Sequence, residues 1–148
     1  MRRAGRVSPL FLLVLVGVAA LIGILMFGQE GPAAAATRFL DALARGDADT
    51  LTKSSFVSGK SDEELHKDWE FTTQVAGKYY RFRWQITSAR VVDDNNADVR
   101  IQVDRNFGPG SYEENYGLPL AKVNGKWKVD AGGISREMYP GLPRPGKS

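Results

Sequence analysis

The 148-residue chain has room for one domain of roughly 100 residues plus extra segments, a size that buries a core without metal or disulfide staples. It contains no cysteine, which excludes disulfides, thiolate catalysis, cysteine-based zinc sites and an acylated lipoprotein cysteine. The net charge of +3 resides in Arg2, Arg3 and Arg6; without them 17 acidic residues face as many basic ones, so the domain lacks the cationic surplus of a nucleic-acid binder.

From Pro9 to Gly28, PLFLLVLVGVAALIGILMFG runs for 20 residues without a charge, a length that as helix spans about 30 Å of hydrocarbon. With the arginines ahead of it, this predicts a single transmembrane helix at 9–28, a cytoplasmic basic tail at 1–8, and an extracytoplasmic remainder held at the inner or plasma membrane. The stretch PAAAATRF after it also permits a signal-peptidase reading. The apolar run exceeds the roughly 7–15 residues of a signal core, however, and Gln29 to Pro32 separate it from the alanines, which favours an uncleaved anchor. Ala19 and Gly23 form a small-x-x-x-small pair that admits a close neighbouring helix, although a lipid-facing span is the plainer reading.

Pro32 suits a first helical turn, and Ala36, Phe39, Leu40 and Leu43 follow at one-stripe spacing, with Arg45 and Gly46 as the stop. Asp47 or Asp49 caps a short second helix carrying Leu51. Ser61 and Glu64 form a capping box for a third, closed by Gly77, whose buried side is Leu65, Trp69, Thr72 or Thr73, and Ala76. From Lys78 the period changes to two: Tyr80, Phe82, Trp84 and Ile86 alternate with Arg81, Arg83 and Gln85. The apolar parity then shifts to Ala89 and Val91, which predicts a bulge near Thr87 or Ser88. The polar run DDNN turns the chain into the clearest strand, with Ala97, Val99, Ile101 and Val103 on its packed side. Tyr112, Tyr116, Leu118 and Leu120 suggest a further strand, which Gly117 and Pro119 restrict to an edge or an irregular ladder. Asn124 and Gly125 form a hairpin turn that returns Trp127 and Val129 to the packed side. Residues 132–148 read as a Gly- and Pro-rich, extended or unstructured tail. The order describes an α+β domain over about 32–131, with helices packed on a curved antiparallel sheet of about four strands.

A helix ending FLDALARGDADTL, a further helix, and bent strands finishing in GKWKV resemble the nuclear-transport-factor-two-like superfamily, the cystatin-like cone shared by ketosteroid isomerase and many bacterial accessory domains. The resemblance covers about Pro32 to Asp130 and implies a fold rather than an activity. With an N-terminal transmembrane helix, the resemblance implies an extracytoplasmic accessory protein, similar to a structural component of type IV secretion channels or to membrane proteins associated with lipid-transport systems.

Several residues invite a chemical reading. GLPRPGKS matches the letters of a phosphate-binding loop, but Pro143 and Pro145 remove N–H donors and no helix follows, so nucleotide binding is not expected. Asp94, Asn96 and Asp98 imitate the start of a calcium loop, yet Val99 and Arg105 stand where Gly and the terminal Glu belong; a polar turn is expected, and no metal or cofactor site. His66, the sole histidine, sits among Glu63, Glu64, Lys67 and Asp68 on a solvated helix face without a visible partner, and Asp62, Glu63 and Glu64 suit a helix N-terminus. Glu114 shares parity with Tyr112 and Tyr116. A carboxylate among aromatics is the kind of general base that isomerase-like cones use, whereas a solvated loop glutamate is the plain alternative. Arg81, Arg83 and Arg100 form a candidate partner face unless Asp98 and Asp104 neutralise them. Tyr80, Phe82, Trp84 and Trp127 line a possible apolar pocket, or simply the core. The expectation is a non-enzymatic, membrane-anchored binding or scaffold subunit with a protein partner; the alternatives are an apolar-ligand or lipid-binding cone, or an enzyme using Glu114.

Overall fold

The computed structural model describes residues 30–75, 82–105, 113–139 and 141–145. The expected membrane span at 9–28 and the tail before it lie outside these residues; among the described residues no helix is long and apolar enough to cross a membrane.

Pro32 opens helix α1 (Pro32–Arg45), whose stripe of Ala35, Ala36, Phe39, Leu40, Ala42 and Leu43 is buried. Gly46 ends it at φ 73°, a left-handed conformation that costs glycine little. The next residue, Asp47, caps α2 (Ala48–Ser54): its carboxylate accepts from the Thr50 N–H at 3.1 Å and from Thr50 Oγ1 at 2.7 Å. Ser61 caps α3 (Asp62–Val75) by accepting from the Glu64 N–H at 3.2 Å, and α3 buries Leu65, Trp69 and Thr72. Ala76 and Gly77 lie outside the described residues.

Five strands, β1 (Ser55–Phe56), β2 (Arg83–Asp93), β3 (Asn96–Asp104), β4 (Glu113–Val123) and β5 (Lys126–Asp130), form one mixed sheet in the order β1-β5-β4-β3-β2. The sequence reading omits β1, which pairs parallel with β5 over two residues, too few to display a period. The anticipated bulge falls between Ile86 and Ser88, and a second irregularity lies between Val91 and Asp93. Ala89 and Val91 do face the core side, opposite Val99 and Ala97, but they occupy an edge strand and remain exposed, Val91 by 57%.

β4 corrects the expectation of an edge or irregular ladder: it lies between β3 and β5 and pairs with β3 without a break from Asn96↔Ala121 to Asp104↔Glu113. The backbone alternation explains why Pro119 is tolerated. The Lys122 N–H points to the β3 side, where it donates to the Asn95 carbonyl, so odd-numbered positions direct their N–H toward β5. The β5 ladder ends at Leu120↔Val129, and Pro119 lacks a donor where no ladder bond is made. Asn124 and Gly125 turn the β4–β5 hairpin with φ 53° and 78°, the pair of positive values a two-residue turn of this hand requires.

The segment after β5 is also corrected. Rather than trailing away, it forms a short 3-10 turn (Ala131–Gly133) and then contributes Ile134, Met138, Tyr139 and Leu142 to the core, each 6% exposed or less. Pro145 returns beside Gly132, whose added Cβ would stand 3.2 Å from its ring, so the described end of the segment lies against its start. Thr72 Oγ1 donates to the Gly141 carbonyl and fixes this loop to α3. Small and ring residues give the segment an unstructured look, but its four large apolar side chains join the buried core.

Candidate functional site

The inward carboxylate of the sheet is the strongest chemical feature of the domain. Glu114 faces Val103 across the β3–β4 ladder, and Tyr116 faces Ile101, so both stand on the packed side as their parity implies. Glu114 lies on a strand rather than in a solvated loop. It is half-buried, accepts from Arg105 Nε at 2.5 Å through Oε2, and accepts from Tyr116 Oη at 2.9 Å through Oε1. Arg105 Nη2 donates to the carbonyls of Glu137 and Met138, each at 2.6 Å, and its guanidinium lies 6.0 Å from the Tyr116 ring centroid. One cation therefore joins the end of β3, the inward carboxylate of β4 and the C-terminal loop. Burial of the guanidinium opposes its charge, but the bond to Glu114 prevails and holds Arg105 above its ordinary value. Burial, reinforced by the bond to Glu114, pushes the Tyr116 phenol up. Burial alone raises Tyr139.

The ion pair to Arg105 and the bond from Tyr116 tie Glu114 to the cation that holds the C-terminal loop, and each carboxylate oxygen keeps a further lone pair. Tyr112, the other expected member, lies outside the described residues. The sequence reading passed over Arg105 because it follows the last apolar position of β3; a cation one residue beyond an inward-facing strand, near an inward Glu, is the signal that would have identified it.

The other candidates are dispersed. Arg81 and Tyr80 lie outside the described residues. Arg83 stands opposite Asp104 and Arg90 opposite Asp98, while Arg100 Nε lies 3.2 Å from Asp98, so the outer sheet face alternates in sign instead of forming a basic strip. Phe82, Trp84 and Trp127 are half-buried and pack on the core. Trp84 on β2 and Trp127 on β5 are separated by β3 and β4, about 14 Å across three strand spacings. The Phe82 ring meets Tyr139 edge-on at 6.1 Å. Asp94 belongs to the β2–β3 turn, where Asp93 accepts from the Asn95 N–H at 2.8 Å and from Asn96 Nδ2 at 3.0 Å; no metal-holding cluster occurs among the described residues. Pro143 is buried and Gly141 lies in the C-terminal loop, a setting without the strand and helix that a phosphate-binding loop needs.

His66 differs from its expected isolation. Its Nε2 lies 2.7 Å from Asp49 Oδ1 on α2 and its Nδ1 3.2 Å from Glu70 Oε1 on α3, so it bridges the two helices beside a shallow open hollow. Both ring nitrogens are thus engaged by carboxylates, and no group of three or more metal-ligating side chains forms there among the described residues.

No protein-family model and no curated protein sequence matches the chain. Solved structures do resemble it. A domain of unknown function with a cystatin-like fold from Nostoc punctiforme matches over 66% of this chain and 69% of its own, at 12% identity and a TM-score of 0.50. A ketosteroid isomerase-like protein from Erwinia carotovora matches over 66% and 87%, at 17% identity and a TM-score of 0.49, and an epoxide hydrolase from M. tuberculosis over 73% and 86%, at 16% and 0.44. The Nostoc likeness shows the cystatin-like fold alone, and a fold by itself does not select an activity.

Proposed function

We propose that the chain is a non-enzymatic, membrane-anchored extracytoplasmic domain that binds a protein partner as an accessory or assembly subunit of a membrane complex. The observation that supports the non-enzymatic part is the engagement of Glu114 by Arg105 and Tyr116, which ties the inward carboxylate to the cation that bonds the C-terminal loop. Phe39, Trp69, Met138 and Tyr139, each 2% exposed or less, belong to the buried core, which favours a packed interior over a ligand-binding one. The uncharged run 9–28 supports the anchor, and tethering confers function by raising the local concentration of the domain for partners in the same membrane. The outer sheet face, with Arg83, Arg90, Arg100, Asp98 and Asp104 in alternating sign, supports recognition through charge complementarity.

Alkaline carbonate extraction of membranes from producing cells, followed by in situ crosslinking, tests the proposal. The chain is expected to remain with the membrane and to crosslink in fixed stoichiometry to one partner, and the charge-reversed variant R83E/R100E to lose that product. A chain released into the soluble fraction, or one without a stoichiometric product, contradicts it.

A further inference from the structure

We propose that the tip of the β4–β5 hairpin is a docking site for anionic phospholipid headgroups. The inference rests on the membrane-anchored reading, because the tether is what makes so small a patch effective.

The tip reads AKVNGKWKV, residues 121–129. The register places Lys122 opposite Trp127, on the side of the sheet that carries Leu120 and Val129, whereas Lys126 opposite Val123 and Lys128 opposite Ala121 point to the other side. Lysines thus flank both faces of a turn whose apex, Asn124–Gly125, carries no bulky side chain. Lys122 and Lys126 are exposed and Lys128 half-exposed; among the described residues none of the three lies within ion-pair distance of a carboxylate, in contrast to Lys60 with Asp68, Arg100 with Asp98 and Arg105 with Glu114. Trp127 is half-buried, with the Lys122 ammonium 5.2 Å from its ring centroid. A tryptophan with one apolar and one wet side, surrounded by cations with flexible stems, matches the chemistry of the headgroup layer.

The adjoining β2–β3 turn opposes this charge. Its Asn95 carbonyl accepts from the Lys122 N–H at 2.9 Å, which brings Asp93 and Asp94 to the same end of the sheet. The Asp93 carboxylate is turned inward to the Asn95 and Asn96 donors, and Asp94 is left as the adverse charge. Three lysines against this turn are too few for nucleic acid in free solution, where a larger surplus is needed. Each lysine near an anionic leaflet raises the docked population roughly fivefold, and a tether holds the tip at an effective concentration on the order of millimolar. Under those conditions three lysines suffice.

The test exploits the absence of cysteine. The full chain carrying Val123→Cys is labelled there with a polarity-sensitive fluorophore and reconstituted into vesicles of phosphatidylcholine alone or of phosphatidylcholine with phosphatidylglycerol. Emission is expected to shift to the blue only in the anionic vesicles, to revert in high salt, to be lost in K122Q/K126Q/K128Q and to persist in K122R/K126R/K128R. The same emission in both vesicle types overturns the proposal. So does persistence of the shift in the glutamine variant, or a response to RNA or polyglutamate without one to anionic vesicles. Carbonate extraction of the same vesicles reports the anchor separately, so an untethered chain is distinguished from a tethered chain whose hairpin stays in water.

Discussion

Arg105 and Glu114 meet at 2.5 Å where β3 ends and β4 begins, and the same guanidinium holds the Glu137 and Met138 carbonyls of the C-terminal loop. Arg105→Ala leaves a half-buried carboxylate without its cation and two carbonyls without their donor. It is expected to destabilise the domain by about 2–4 kcal/mol in urea unfolding. Arg105→Lys recovers part of this loss, because one ammonium cannot reproduce the several directed N–H groups.

Ser55 and Trp69 form a second coupled pair. Ser55 Oγ accepts from the buried indole N–H at 3.0 Å and donates to the Leu51 carbonyl at 2.5 Å. Ser55→Ala orphans the indole donor and is expected to cost about 1–3 kcal/mol. In Trp69→Phe no donor remains to be orphaned, so adding Ser55→Ala to that variant is expected to cost less than it does in the parent, as a denaturation series would report.

Burial of Tyr116 and Tyr139 contributes to the alkaline behaviour of the fold. Their raised phenols keep protons that the unfolded chain releases near the ordinary value of 10.0, so the unfolded state binds fewer protons there and stability falls as pH rises through that value. Thermal melts across this range are expected to show the fall, and Tyr139→Phe to reduce it.

Asp47 governs the acid side of α2. Its bonds to the Thr50 hydroxyl and N–H hold the carboxyl below its ordinary value, so the cap contributes stability above that value and loses it as pH falls through the depressed one. The difference in melting temperature between the parent and Asp47→Ala is expected to be largest at neutral pH and to shrink on acidification.

Much of the cone was legible from periodicity. The α1 stripe from Ala36 to Leu43, the bulge after Ile86, the alternation from Ala97 to Val103 and the Asn124–Gly125 turn are local signals, each decided by residues within a few positions. What escaped depends on contacts distant in sequence. β1 exists because Val129 and Asp130 lie beside it, and Pro119 is tolerated because β5 stops short. The loop carrying Met138 and Tyr139 folds inward because Arg105 and Thr72 supply donors from 33 and 69 residues away. The site divides in the same way: parity brings Glu114 and Tyr116 together, but the residue that neutralises Glu114 lies just past the end of β3.

A double-mutant cycle on Arg105 and Glu114 tests most directly whether the inward carboxylate is a structural group. Unfolding free energies of R105Q, E114Q and the double variant are predicted to show a coupling of about 1–2 kcal/mol, with E114Q destabilised and the double variant no worse than R105Q. Additive effects, with E114Q as stable as the parent or more so, would mean that the fold keeps this carboxylate at a cost for another purpose, and would contradict the account.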